Sequence, residues 1–142
     1  MASIDEIIST FNSVDRELRL QLLLDYAKKL PAVPPDLEAD AESARIHECQ
    51  TPVWLWLVPE NGSVRVHAKV AEEAPTVQGF LSIISQGYEG ASAEQLASVP
   101  SDLVERLGLG DLIRMNRAIG LHAVTDRVRR EARKLTTEGA GA

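Results

Sequence analysis

Residues 53–70 read VWLWLVPENGSVRVHAKV, the strongest β-strand pattern in the chain. Val53–Val58 is β-branched, aromatic and apolar throughout, which is typical of a central strand covered on both faces. From Val64 to Val70, apolar residues alternate with polar ones, which predicts one buried and one solvent-facing side. Between these runs, Asn61-Gly62 favours the positive backbone dihedrals of a tight hairpin. The stretch therefore predicts two antiparallel strands joined by a turn.

Helical patterns lie on both sides of this hairpin. Ser3 with Glu6 has capping-box spacing at the first helix, and the last helix is predicted from about Asn116 to Leu135. Just before the hairpin, Arg45–Glu48 predicts a short additional strand. Helices, strands and then helices do not alternate as a parallel sheet requires. The predicted fold class is α+β, with two layers and a three-stranded antiparallel meander packed against helices.

The length of 142 residues predicts a single domain spanning 1–142. Residues 31–44 contain three prolines among acidic and small residues, and are predicted to form an exposed connection rather than a domain boundary. The polar residues 136–142 are predicted to form a flexible tail.

Composition narrows the classes of partner. The net charge of -6 disfavours nucleic acid, whose phosphates are bound by clustered lysine and arginine. No apolar run is long enough to span a bilayer, and the acidic start does not fit a secretory signal. A cytoplasmic protein without nucleic-acid or membrane partners is expected.

Basic residues are concentrated near the C-terminus, where they allow two interpretations. They could form a partner surface, but the favoured interpretation is that they complement the negative end of a helix dipole. The residues concerned are Arg127, Arg129, Arg130, Arg133 and Lys134.

Cys49 is the one cysteine, so no internal disulfide can form. A free cysteine is more often a small buried apolar residue than a nucleophile. However, Glu48, Gln50 and Thr51 are polar, and a turn before a strand can present a side chain to a partner. With one cysteine and the scattered histidines His47, His67 and His122, no metal site is predicted.

The segment Glu48-Cys49-Gln50-Thr51 directly precedes the strand that begins Val53-Trp54. This order resembles the SufE family, in which a Gly-Cys-Gln-Ser block precedes a Val-Trp strand. The resemblance covers roughly residues 5–134 and implies a SufE/NifU-like fold. It continues through Glu73-Ala74-Pro75-Thr76-Val77-Gln78-Gly79-Phe80 and an Arg-x-x-Gly-Leu pattern at Arg117, Gly120 and Leu121.

The resemblance has three departures. Glu48 stands where the family usually has glycine, which reduces backbone freedom and places beside the thiol a carboxylate that disfavours the thiolate. Thr51 replaces serine. Met115-Asn116 stands where the family commonly has Pro-Ser, although Asn116 remains a good N-cap.

The resemblance implies a sulfur acceptor of the Suf iron–sulfur cluster assembly system. Cys49 would take persulfide sulfur from a pyridoxal-phosphate-dependent, SufS-like cysteine desulfurase and deliver it to the Suf cluster scaffold. Such a protein is expected to be monomeric and to enhance the desulfurase rather than act as an independent enzyme. It is expected to need no cofactor of its own.

Five residues are predicted to support Cys49. Gln50 and Thr51 directly follow it in the sequence. His47 could assist as a base or ligand, and Trp54 could shield the persulfide. Arg117 could hold the loop or contact the desulfurase, because a cation in the first turn of a helix is otherwise unfavourable. For His47 and Arg117, a solvated surface side chain is the competing interpretation, and for Trp54 it is a side chain of the sheet core.

Two alternatives to the carrier role remain. In the first, the chain is a binding module that activates the desulfurase while Cys49 is only structural. In the second, it is a metal-dependent scaffold of related fold, which a single cysteine disfavours.

Overall fold

The structure is a computed structural model that describes residues 3–39, 41–113 and 115–140; for residues 115–117 and 138–140 it describes the backbone alone. The strands are β1 (Val53–Glu60) and β2 (Ser63–Val70). The helices are α1 (Ile4–Asn12), α2 (Arg16–Ala27), α3 (Pro35–Glu38), α4 (Ala41–Ala44), α5 (Pro75–Gly87), α6 (Ala93–Ala97), α7 (Leu103–Arg106) and α8 (Met115–Ala140). None of these described helices is both long and apolar enough to cross a membrane.

The hairpin forms as its turn sequence predicts, but β1 is not the central strand that was expected, because the sheet of the described residues consists of β1 and β2. Strands β1 and β2 are antiparallel, in a register that begins at Val53 opposite Val70 and ends at Glu60 opposite Ser63. Asn61 and Gly62 have φ angles of 53° and 84°, the positive values that the Asn-Gly turn predicts. The alternating apolar residues of β2 are buried, so one face of the sheet lies on the core.

The α+β fold class is confirmed, but the sheet of the described residues has two strands rather than three. The predicted strand at Arg45–Glu48 is reduced to a single antiparallel bridge between Arg45 and Trp54. The chain cannot continue along β1 because it turns at once: His47 and Glu48 are turn residues, and the Cys49 amide donates to the Ile46 carbonyl. The residues predicted to extend the sheet instead redirect the chain toward α8.

Helices cover the apolar side of the sheet. Helix α5 packs against α2, α1 and β2, and α8 packs along α6 and β1. Gly79 allows α5 to approach α2 closely, because a Cβ atom there would collide with the Leu23 carbonyl oxygen. One continuous core results, with Phe11, Leu23 and Phe80 among its fully buried side chains.

Two segments contain more helix than the sequence patterns predict. Residues 31–44 include the short helices α3 and α4, although most of their described side chains are exposed. Helix α8 continues past the predicted end at Leu135 to Ala140. The flexibility of residues 136–142 stays a prediction.

Candidate functional site

Cys49 lies at the apex of a short connection whose ends are held together. The Ile46 amide donates to the Val53 carbonyl at 2.9 Å, which closes the connection where β1 begins. Within it, the Cys49 amide donates to the Ile46 carbonyl at 3.4 Å and turns the chain inward. The cysteine is only 5% exposed and belongs to the same buried apolar cluster as Val53 and Leu55.

Gly120 of helix α8 provides the space that the sulfur occupies. A Cβ atom added to Gly120 would lie 2.8 Å from the Cys49 Sγ, closer than unbonded atoms can approach without a shift. Glycine inside a helix costs about 1 kcal/mol relative to alanine. That local cost was the available sequence signal for a close contact at Gly120, but it does not identify the partner, which lies far away in the sequence.

The residues around Cys49 point in a different direction from its sulfur. His47, Glu48 and Gln50 are exposed, and Thr51 is half-buried. His47 and Cys49 therefore do not share one environment, although both lie on the connection. The buried thiol is thus covered by a polar segment that is largely in contact with solvent.

An ion pair between described side chains joins this segment to α8. The Glu48 Oε2 lies 3.7 Å from the Arg130 Nη2, and both side chains are more than half exposed. Sequence analysis identified Glu48 as a departure from the family pattern, but did not predict that Arg130 would be its partner.

Arg127 anchors the chain on the N-terminal side of Cys49. Its guanidinium donates from Nη2 to the Ser43 carbonyl at 3.0 Å and from Nη1 to the Arg45 carbonyl at 3.3 Å. Its Nε also pairs with Glu131 at 3.1 Å. Hydrogen bonds from a charged group contribute more than neutral ones, so this end of the segment is firmly attached.

The favoured interpretation of the C-terminal basic residues as helix-end charges is wrong for these arginines. Because α8 reaches Ala140, Arg127 and Arg130 lie more than a turn before its end, outside the range of the dipole effect. Arg127 holds the backbone before Cys49, Arg129 donates to the Val99 carbonyl, and Arg130 meets Glu48.

Two cationic side chains lie near the ring of Trp54. The Arg45 guanidinium lies 5.1 Å and the Lys69 ammonium 5.7 Å from its ring centroid. Such contacts stabilise an aromatic ring on a solvated sheet face. The predicted role of Trp54 in shielding the sulfur stays a prediction.

The predicted role of Arg117 concerns a side chain outside the described residues. Its backbone lies in the first turn of α8, as predicted, three positions before Gly120. Among the described residues, no group of three or more histidine, cysteine or acidic side chains is arranged to hold a metal ion.

The site shelters the thiol of Cys49 but does not present it to another protein in this conformation. A cysteine that is only 5% exposed is sheltered from oxidants, and its sulfur is equally inaccessible to a second protein. Transfer would require residues 47–52 to move outward while the anchors at Arg127 and Ile46 hold their ends.

Comparisons with known proteins identify the family of the chain. Residues 5–132 match the model of the SufE family, described as an Fe-S metabolism associated domain. An uncharacterised SufE-like protein of Mycobacterium tuberculosis is 36% identical over 134 residues, which cover 94% of this chain and 93% of the relative. The sulfur acceptor protein CsdE of Escherichia coli is 33% identical over 114 residues, covering 79% and 75% of the two chains.

A solved structure shares the fold. The solution structure of a hypothetical protein from Thermus thermophilus superposes with a TM-score of 0.84 at 37% identity, covering 96% of this chain and 99% of that one. The family match spans most of the sequence and includes Cys49, its connection and Gly120. The chain therefore belongs to the SufE family.

Proposed function

We propose that this protein accepts a persulfide sulfur from a cysteine desulfurase on Cys49 and relays it to an iron–sulfur cluster scaffold. The observation that carries the proposal is the position of the single cysteine: its sulfur is buried against Gly120, on a short polar connection that belongs to no helix or strand. The relative CsdE is a sulfur acceptor by name, which supports the same role here.

The proposed transfer is a thiol exchange that needs no external oxidant or reductant. The Cys49 thiolate attacks the terminal sulfur of the persulfide on the donor's cysteine. A new S–S bond forms at Cys49 while the bond between that sulfur and the donor's Sγ breaks, and the donor leaves as a thiolate. The products are a Cys49 persulfide and a free donor cysteine.

Delivery to the scaffold repeats this exchange in the opposite sense. A scaffold thiolate attacks the terminal sulfur on Cys49, and Cys49 leaves as a thiolate ready for another cycle. One cysteine suffices for both steps. Because the mechanism needs a reduced thiol at rest, we place the protein in the reducing cytoplasm.

The buried site supports the carrier role. Between transfers, the burial of Cys49 against Gly120 shelters its sulfur from solvent, because oxidation requires an accessible thiolate or persulfide. The anchors at both ends of the connection confine the required motion to about six residues, a size compatible with loop opening during turnover.

The second candidate is a module that binds and activates the desulfurase without accepting sulfur. The burial of Cys49 in the apolar cluster favours it, because a structural cysteine would have the same surroundings. The two candidates differ in whether activation requires a nucleophile at position 49.

The test uses free cysteine labelled with radioactive sulfur, a cysteine desulfurase, and either the wild-type protein or Cys49→Ser. We expect wild type to gain label that a thiol reductant removes, and to increase alanine production by the desulfurase. Cys49→Ser should gain no label and should not increase alanine production.

If Cys49→Ser stimulates the desulfurase as fully as wild type, the activator interpretation replaces the carrier. A circular dichroism spectrum identical to that of wild type provides the control for folding of the variant.

A further inference from the structure

One face of α8 combines an exposed apolar side chain with arginines beside the Cys49 connection. Ile119 is 60% exposed and directly precedes Gly120, the residue against which the Cys49 sulfur lies. Arg129, Arg130 and Arg133 follow on the same shallow surface, which Glu48 closes at one side. We call Ile119, Arg129, Arg130 and Arg133 the α8 arginine surface.

The charge of this surface contrasts with that of the whole protein. The chain carries a net charge of -6, whereas three arginines meet here with Asp126 and Glu48 as the adjoining acids. His122, at the edge, has its Nε2 3.0 Å from a Glu105 carboxylate oxygen. A local excess of positive charge around an exposed apolar side chain complements a protein surface with the opposite pattern.

The Glu48–Arg130 pair couples this surface to the thiol. Glu48 is the residue before Cys49, so its pair with Arg130 ties the segment that covers the sulfur to α8, and breaking the pair removes that tie. At 3.7 Å, with both side chains more than half exposed, the pair is loose and open to competition from another carboxylate.

We propose that a protein with carboxylates around an apolar side chain docks on the α8 arginine surface, where one of its carboxylates replaces Glu48 at Arg130. The displaced Glu48 turns to solvent and the Cys49 connection opens. The inference rests on the proposed function, because it identifies that partner as the sulfur donor. No bond to sulfur is made in this step; it only exposes the thiol.

Energetics favour a partner-controlled opening. Replacing one carboxylate by another leaves Arg130 paired, so the exchange itself costs little. A partner that binds only the open form shifts the equilibrium by its preference for that form. The pair therefore favours the covered thiol by a small margin, which a surface with suitable charge can remove.

The role of the Glu48–Arg130 pair is tested first without any partner, through the rate at which a small alkylating reagent modifies Cys49. Arg130→Gln breaks the pair but keeps the Glu48 carboxylate beside the thiol, and it should raise that rate about two- to fivefold, the effect expected for an exposed ion pair. Arg65→Gln is the matched control, because Arg65 forms a similarly exposed pair with Glu60 at the hairpin. Equal rates in the two variants would refute a role of the Glu48–Arg130 pair in covering the thiol.

The surface is tested through binding of the cysteine desulfurase encoded by the same genome. Arg133→Glu should weaken the desulfurase complex about tenfold at low ionic strength and reduce its salt dependence. Arg65→Glu, the same charge reversal on the sheet, should leave binding unchanged. If both reversals weaken binding equally, the effect is one of net charge and the α8 arginine surface is not the docking site.

Saturating desulfurase separates this inference from the proposed function. Under saturation, Arg133→Glu should acquire labelled sulfur as fully as wild type. If wild type acquires label and Arg133→Glu binds normally, the docking inference fails while the carrier role stands. If wild type itself acquires no label from an active desulfurase, the carrier role fails.

Discussion

The two connections at the ends of β1 are held in different ways. After β1, the turn at Asn61-Gly62 is fixed by backbone conformation and by the ladder between β1 and β2. Before β1, the connection through Cys49 depends on side chains of α8: Gly120 makes room for the sulfur, Arg127 holds the preceding carbonyls and Arg130 meets Glu48. A turn that is fixed by its own backbone stays in place. A segment that depends on side chains of another helix can be released when those side-chain contacts are broken.

The two connections differ in whether they can open without disturbing the sheet. The hairpin keeps the sheet in register, so opening it would disrupt the core face of β2. The Cys49 connection can open without disturbing the ladder, because the hydrogen bond between Ile46 and Val53 closes its base. The site therefore lies beside the β1–β2 ladder without being part of it.

The largest expected effect comes from filling the space beneath the sulfur. In Gly120→Ala, the added Cβ would meet Cys49 Sγ at 2.8 Å, so the closed connection must shift. Overpacking of this kind typically costs about 1–3 kcal/mol, and the alkylation rate of Cys49 should rise about tenfold. Alanine favours the helix equally whether the connection is open or closed, so the rate reports the clash alone.

Gly110→Ala provides the control for that experiment. A Cβ at Gly110 meets nothing within 4 Å, so the same added methyl group should leave the alkylation rate unchanged. If Gly120→Ala also reacts at the wild-type rate, the sulfur is not held against α8 and the contrast between the two connections disappears.

At the hairpin, a smaller effect is expected, and it concerns the stability of the protein rather than the reactivity of Cys49. Gly62 has a φ of 84°, so Gly62→Ala should lower the free energy of unfolding by about 1 kcal/mol. The alkylation rate of Cys49 should not change, because the turn does not contact the connection that covers it. Chemical denaturation and thiol modification of the same sample measure both quantities.

Gly62→Asn tests whether the destabilisation comes from backbone strain, because a Cβ atom at position 62 would meet nothing within 4 Å. Asparagine tolerates positive φ better than alanine, so it should destabilise the protein less. A rise in Cys49 reactivity in either hairpin variant would mean that the two connections open together, contrary to the independence inferred from the structure.

Features set by neighbouring residues could be predicted from the sequence. The hairpin, the capped start of α1 at Ser3 and the α+β class all follow from local pattern, turn chemistry and element order. Cys49 could be identified as the candidate because it is the one cysteine and its neighbours are polar. The resemblance of the chain to the SufE family then implied a role for that cysteine as a sulfur acceptor.

Features set by distant residues could not be predicted in this way. The pairing of Glu48 with Arg130 and the tether from Arg127 to Arg45 join positions some eighty residues apart, with no local signal at either end. The short strand expected at Arg45–Glu48 was wrong for a related reason. The polarity of those residues is compatible with an edge strand, but the chain turns there to bury the sulfur of Cys49 beside α8.

The most direct test of the central claim is the mass of the peptide that carries Cys49. After incubation with an active desulfurase and free cysteine, trypsin cleavage following Arg45 and Arg65 releases residues 46–65. We expect this peptide to be heavier by one sulfur atom and to return to its original mass when a thiol reductant is added. An unmodified peptide, in a reaction where the desulfurase is shown to carry its own persulfide, would contradict the claim.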